Sequence, residues 1–240
     1  MNIHDLGTWE QLQKKLTWQQ LGEFSGKRIL EFGCGNGVMG AHYARENTVI
    51  AIEPNAQVLA ENPYEDVEQI CGDFKLLPRY EDESFDVIFC HNVLEYAAER
   101  AEILKEFQRL LKKDGLLSVL KHNRPGRVMQ MAVLLNNFEH ANELLDGKCG
   151  VSPQFGEIHY YEDEDLIKWA PELRIEKILG MRTFWDLQQN QDIQKEEEWQ
   201  QKMMHLEQRV SDIEEYRSIA FLHHVFLRKR NCLESASSKL

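Results

Sequence analysis

The chain has 240 residues, of which 42% are hydrophobic and 28% charged, with a formal net charge of -12. That length suits one sizeable α/β domain, and the composition is that of a globular protein. The negative balance argues against a nonspecific nucleic-acid binder held by phosphate contacts, and no apolar run approaches the roughly 18 residues of a membrane span.

Residues 1–9 lack a basic stretch followed by an apolar core, so no secretory leader is read. Cysteines at 34, 71, 90, 149 and 232 are odd in number and form no C-x-x-C pair. Neither a disulfide framework nor a zinc-ligand spacing is expected, and a reducing cytoplasm is the natural compartment.

Leu12, Leu16, Leu21 and Phe24 recur at helical spacing over residues 9–24, and Ser25-Gly26 ends the run. Strand-like runs follow at 28–32, 48–52, 68–71, 85–90 and 116–120, with helical patterns between them at 38–46, 55–61 and 99–112. This alternation predicts βαβ units and a mostly parallel sheet. Beyond residue 121 the character changes. An apolar helical pattern covers 127–145, a loop 153–161 and a short acid-started helix 163–169. Further strands are expected at 174–179 and 218–227. Between them a charged helical segment, about 186–214, carries Trp199, Met203, Leu206, Val210 and Ile213 as one stripe. The polar tail from Asn231 is expected to be disordered. The organisation is a single domain over 1–230 with two cap segments, 123–161 and 180–216.

The sharpest local signal is Glu31-Phe32-Gly33-Cys34-Gly35-Asn36-Gly37 at the end of the first strand. Glycines at alternate positions let bare backbone approach a ligand. Gly35 to Gly40 also fits G-x-G-x-x-G, the dinucleotide fingerprint, in which a helix N-terminus holds a pyrophosphate. Charge separates the two readings. Glu31 would repel a pyrophosphate, whereas the ammonium and sulfonium of S-adenosylmethionine (SAM) are cationic. Glu53, 20 residues past Gly33, is placed to accept ribose hydroxyls under either reading. Asp73 can accept the adenine amino group and Phe74 can pack on the ring, although an acid there also suits a loop cap. The fourth strand ends in His91-Asn92, facing the methyl donor.

Together these residues resemble the class I SAM-dependent methyltransferases over about 25–122. The resemblance implies a Rossmann-like α/β fold: a seven-stranded, mostly parallel sheet with an antiparallel last strand, helices on both faces and a helical cap. It implies that Glu31, Gly33, Cys34, Gly35 and Gly37 surround the amino-acid part of SAM. Glu53 and Pro54 would then lie at the ribose, Asp73 and Phe74 at the adenine, and His91 near the methyl group.

Within that family the chain is similar to the tRNA 5-carboxymethoxyuridine methyltransferases, which esterify the carboxylate of a wobble uridine. The similarity is carried by His91 with Val93-Leu94-Glu95, Asn123, Asn137-Phe138, Arg182 with Phe184, and Tyr216. Ala220-Phe221-Leu222 lacks an arginine that the resemblance would place there. It implies a tRNA partner and substrate contacts from Asn123, Arg124, Arg182 and Tyr216.

Methyl transfer from a sulfonium is an in-line displacement, so the protein must chiefly align the acceptor and exclude water. A protic acceptor needs a base, for which His91 is the candidate. A carboxylate needs none but requires an arginine clamp, from Arg124, Arg127 or Arg182. The acceptor is then a modified tRNA nucleoside or a small carboxylate or phenol. The competing expectation is a SAM-binding regulator that uses the charged helix as its interface. No metal site is read from the remaining histidines, His223-His224 included. The oligomeric state is left open.

Overall fold

Parallel strands need crossovers long enough to hold a helix, so apolar strands alternating with helices dictate a layered sheet. The computed structural model describes residues 3–152 and 155–230. Its strands are β1 (Arg28–Phe32), β2 (Thr48–Glu53), β3 (Val67–Cys71), β4 (Phe85–His91), β5 (Leu111–His122), β6 (Gly150–Ser152), β7 (Gly156–Ile158), β8 (Leu173–Met181) and β9 (Leu222–Lys229). Seven of them form one sheet in the order β3-β2-β1-β4-β5-β9-β8, and β6 and β7 form a separate ribbon. β9 runs antiparallel to both of its neighbours, while the pairs among β1 to β5 are parallel.

The helices are α1 (Thr8–Leu21), α2 (Val38–Ala44), α3 (Ala56–Glu61), α4 (Arg100–Leu110), α5 (Arg124–Met129), α6 (Phe138–Leu145), α7 (Asp165–Trp169), α8 (Glu197–Val210) and α9 (Glu214–Arg217). Side chains alternate across a strand, so adjacent residues enter different layers. Leu30, Ile50 and Ile88 pack with Ile103, Leu104 and Phe107 of α4. Ile29, Val49 and Val87 pack on the opposite face with Met39 and Tyr43 of α2, joined by Trp18 and Leu21 of α1. Burial on both faces explains why β1 and β2 read as continuous apolar runs.

The cap differs from the expectation in three places. The pattern over 127–145 is not one helix: α5 passes into a π-helical turn at Gln130–Leu134, and α6 starts afresh where Asn137 caps it by accepting from His140 N–H. The loop expected at 153–161 contains β7, which pairs with β6 just ahead of it. The charged segment forms 3-10 turns at Trp185–Leu187 and Gln191–Lys195 before α8; Trp199, Met203 and Val210 of the expected stripe pack inward beside Met204 and Glu207, whereas Leu206 and Ile213 are exposed. The buried Glu207 carboxylate accepts the backbone N–H groups of Thr183, Phe184 and Trp185 at 2.8, 2.8 and 3.1 Å, tying α8 to the turn after β8. The last strand begins at Leu222 rather than 218, after α9 (Glu214–Arg217) and the turn that follows it. The tail from Asn231 lies outside the described residues. Among the described residues no helix is long and apolar enough to cross a membrane.

One charged cluster locks the segment ahead of α7 to the sheet. Lys121, only 3% exposed, pairs with Asp163 at 2.9 Å, and His223 Nδ1 meets the other carboxylate oxygen at 2.8 Å. Burial alone would raise the Asp163 pKa, but the His223 hydrogen bond and the Lys121 charge outweigh it and hold the carboxyl at about 2. Removing one partner of a buried pair strands the other charge. Asp163→Asn is therefore expected to lower the unfolding free energy by about 3–5 kcal/mol in urea denaturation. Because the folded-state pKa is depressed, this stabilisation is complete above the unfolded carboxylate range and is lost as pH falls toward 2. The variant should show a correspondingly flatter acid limb.

Candidate functional site

The strand order reverses between β1 and β4, and in open α/β sheets ligands bind beyond the carboxyl ends at such a point. Both strands end there in the residues singled out from sequence. Gly35 has φ +52, and no atom lies within 4 Å of where its Cβ would stand, so its backbone faces open space. Its N–H donates to Glu53 Oε2 at 2.9 Å, while Glu53 Oε1 accepts from Asn55 N–H at 3.1 Å. The acid that ends β2 thus shapes the loop that follows β1. From α1, Glu10 accepts a hydrogen bond from the Asn36 side chain at 2.7 Å and closes the loop from above.

Glu31 is buried against the start of α2. A Cβ on Gly40 would lie 2.5 Å from Glu31 Oε2, so only glycine leaves room for the carboxylate. Burial raises the Glu31 pKa to about 7, with the Lys14 charge and the Gly40 backbone N–H opposing. Oε2 has no hydrogen-bond partner. A buried carboxylate with an unpartnered oxygen is costly, and an N–H-bearing cation beside it would offset that cost. The donor set therefore fits a ligand with an ammonium group.

The other expected cofactor residues fall around the same crevice in unequal ways. Gly33 and Gly37 take positive φ, and Gly37 leads into α2. Cys34 is buried, and burial raises its thiol pKa, so it stays neutral. The Pro54 carbonyl receives the Cys71 thiol at 3.7 Å. Asp73 is half exposed and accepts from Lys75 N–H at 2.9 Å, the loop-capping role weighed from sequence. Phe74 packs partly onto the core below.

His91 ends β4 on the side of the sheet that α1 covers, and a buried chain of hydrogen bonds fixes its protons. Gln20 Nε2 donates to the Gly180 carbonyl at 3.1 Å, which turns Gln20 Oε1 toward His224 Nδ1 at 2.8 Å. An amide oxygen only accepts, so His224 Nδ1 carries the proton and its Nε2 is the acceptor. Ser118 Oγ, 2.7 Å from that nitrogen, donates to it, and in turn accepts from His91 Nε2 at 2.8 Å. His91 is therefore the Nε2–H tautomer with Nδ1 left as an acceptor. Burial, with the Lys14 charge, lowers its pKa to about 3. That value is too low for an efficient general base near neutral pH and suits an oriented hydrogen-bond acceptor.

Beyond the end of β5 the expected substrate residues mostly serve the fold. Asn123 is buried and donates to the Ser218 and Ala220 carbonyls at 2.9 and 2.8 Å. Arg124 donates to the Leu144 carbonyl at 3.0 Å. Arg182 is buried, ion-paired to Asp186 at 2.8 Å and bonded to Gln13 at 2.7 Å. Tyr216 is 39% exposed and meets Phe184 edge-on.

Arg127 is different. It hydrogen-bonds Gln130, pairs with no carboxylate among the described residues, and leaves Nε buried without a partner. His122 Nδ1, Tyr160 Oη and Glu95 Oε2 are also buried and unpartnered. A cleft of about 440 Å³ opens beside Arg127, lined by Met131, His140 and Val151 among others. From sequence, Glu95 enters only as part of the Val93-Leu94-Glu95 run. It is fully buried, accepts from His122 N–H at 2.6 Å, and burial raises its pKa to about 7. The signal that could have found it is an acid directly after the buried Leu94.

Residues 30–119 match the family described as a methyltransferase domain. The ubiquinone biosynthesis O-methyltransferase of Neisseria meningitidis is 32% identical over 104 residues, covering 40% of this chain and 44% of that protein. The demethylmenaquinone methyltransferase of Lactobacillus johnsonii is 28% identical over 136 residues, covering 52% and 55%. The chain spans about half the length of the curated relatives it matches. Among solved structures, a SAM-dependent methyltransferase from Methanosarcina mazei superposes with TM-score 0.55 at 17% identity, covering 88% of this chain and 96% of the other. The [4+2]-cyclase SpnF superposes with TM-score 0.54 at 19% identity, covering 90% and 80%. The fold alone therefore does not dictate the reaction.

Over residues 30–119 the chain therefore matches a methyltransferase domain. The curated relatives described are named for quinone biosynthesis, and the finer similarity to tRNA methyltransferases rests on the quoted residues alone.

Glu31 must be ionised to hold a cation, and burial places its pKa near 7. SAM affinity measured by calorimetry should fall as pH drops below 7 and level off above it. Glu31→Gln should remove this pH dependence and weaken binding roughly 10- to 150-fold, the span of a hydrogen bond to a charged group. Nitrogen-15 NMR of the imidazole rings should find His91 protonated at Nε2, and Ser118→Ala should mix its tautomers.

Proposed function

We propose that this protein is a SAM-dependent O-methyltransferase acting on a small aromatic acceptor that presents a carboxylate or phenolate oxygen. The observation that carries the reading is Arg127, a cation with a buried, unpartnered Nε and no carboxylate partner among the described residues, beside the ends of β4 and β5. Arg182, by contrast, is neutralised by Asp186. Charge-assisted hydrogen bonds to guanidinium fix both the position and the orientation of an oxygen anion. Tyr96, Phe155, Tyr160 and Phe221 supply flat surface around it: Tyr96 and Phe155 lie 5.3 Å apart, and Arg127 sits 5.8 Å over Phe221.

Bound SAM supplies a methyl group on a sulfonium that carries its own leaving group. Glu31, Gly33, Cys34, Gly35 and Gly37 hold the amino-acid end of SAM in this reading. Glu53 with Pro54 binds the ribose, and Asp73 with Phe74 borders the adenine. His91 Nδ1 orients groups at the reacting end as a neutral acceptor. Arg127 and Tyr160 hold the acceptor oxygen. A phenol that keeps its proton can lose it to Glu95, whose pKa of about 7 suits proton transfer near neutrality. A net charge of -12 opposes a long tRNA footprint and favours a small acceptor.

Incubation with methyl-labelled SAM, offered bulk tRNA in one arm and a small-acid and phenol extract in the other, tests the reading. Label is expected in the small-molecule arm. Arg127→Met should cut kcat/KM for the acceptor roughly 10- to 150-fold while leaving SAM affinity unchanged. Label confined to tRNA nucleosides would overturn the small acceptor and return the choice to a modified wobble uridine.

A further inference from the structure

The ribbon of β6 and β7 stands apart from the main sheet, with Gly150 paired to Ile158 and Val151 to Glu157. One step beyond the last pair, Cys149 faces His159 across the base of the ribbon. Glu157 lies two residues before His159 and so projects from the same face. Three potential ligands of different chemistry therefore converge. Cys149 Sγ is 3.2 Å from His159 Nδ1, and His159 Nε2 is 3.6 Å from Glu157 Oε2. One ligand atom from each residue lies within 4.8 Å of the other two.

We propose that the base of this hairpin binds one zinc-class divalent cation through Cys149, Glu157 and His159. A thiolate and an imidazole select Zn²⁺ over Mg²⁺ and Ca²⁺, which prefer shells of oxygen. Zinc bonds of about 2.0–2.3 Å in a tetrahedron set neighbouring ligand atoms about 3.5 Å apart. The imidazole gives the ion one nitrogen, so the three ligand atoms start within 4.8 Å of one another and side-chain rotation closes them to this spacing, with the fourth position left to water. Glu157 and His159 are exposed, so the ion enters without crossing the core. Lys148, next in sequence to Cys149, is drawn away by its ion pair with Glu143 at 3.0 Å. Binding replaces the thiol proton, which passes to solvent.

The location gives the ion a consequence. His159 N–H donates to the Glu95 carbonyl at 3.1 Å, and Phe155 at the far end of the ribbon lies against Tyr96. A cation joining both strands at the base would hold that aromatic contact over the end of β5. The site lies outside the glycine loop and does not depend on methyl transfer.

The test is calorimetric titration of the chelator-treated full chain with zinc chloride, in a Cys71→Ser, Cys232→Ser background that removes competing thiols such as the exposed Cys71. One zinc is expected, with magnesium and calcium chloride giving no binding. Cys149→Ser and His159→Gln should each weaken zinc at least about tenfold, since loss of a supporting group alone costs 10- to 100-fold. Zinc should also slow hydrogen exchange over residues 150–152 and 156–158 in the parent but not in the Cys149→Ser chain. Equal zinc affinity in the parent and Cys149→Ser chains, or no zinc binding in the parent, overturns the proposal.

Discussion

A single buried carboxylate organises the open end of this sheet. Glu31 sits at the last turn of an apolar strand, where water is excluded and ionisation is resisted until about pH 7. Three neighbours exist in their present form because of it. Gly40 has no side chain where one would strike the carboxylate. Lys14 of α1 contributes the opposing charge. Glu53, a second acid close by, is occupied by the amides of Gly35 and Asn55 and holds the loop open. A dinucleotide site built on the same glycines would place phosphate beside two acids, which Coulomb repulsion forbids at this depth.

Two polar systems extend from that point with different characters. Under the sheet, the chain from Gln20 through His224 and Ser118 to His91 satisfies each member and leaves one acceptor nitrogen at the crevice. Such a chain is rigid, because every proton position is fixed by the next. Beyond β5, Arg127, His122, Tyr160 and Glu95 each keep a buried atom unpartnered. Native interiors seldom tolerate several such atoms together without a partner to receive them. The contrast separates structural polarity from polarity that awaits a ligand. It also shows why a cyclase and a methyltransferase can share the fold: the scaffold ends at the strand termini, and the chemistry depends on what stands just past them.

The order and direction of the elements were legible along the chain. Each of the seven main strands overlaps an expected apolar run, with β1 at 28–32 as expected, although β5 is longer than expected and β9 starts only at Leu222. The cap was less legible. Helical periodicity over 127–145 could not reveal the π-helical turn, because the apolar spacing hardly changes when one residue is added to a turn. Nor could it show that Glu207, a charged residue on a helix, faces inward, since its three backbone partners lie in a turn 22 to 24 residues away. The ribbon of β6 and β7 is too short for two-residue alternation to register.

What the sequence determined by itself is local. The spacing of glycines, the acid ahead of them and the apolar strand feeding them act through neighbouring backbone, so they carry the class of ligand without reference to the rest of the chain. What only the tertiary structure decided is which polar groups are already spoken for. Arg124, Arg127 and Arg182 are equivalent as letters. Arg182 is neutralised by Asp186 and hydrogen-bonded to Gln13, whereas Arg127 keeps a buried donor unpartnered. The tautomer of His91 depends on Ser118, His224 and Gln20, and the convergence of Cys149, Glu157 and His159 depends on a strand register. Electrostatic and hydrogen-bond satisfaction is a property of pairs in space, and most of these pairs are far apart along the chain.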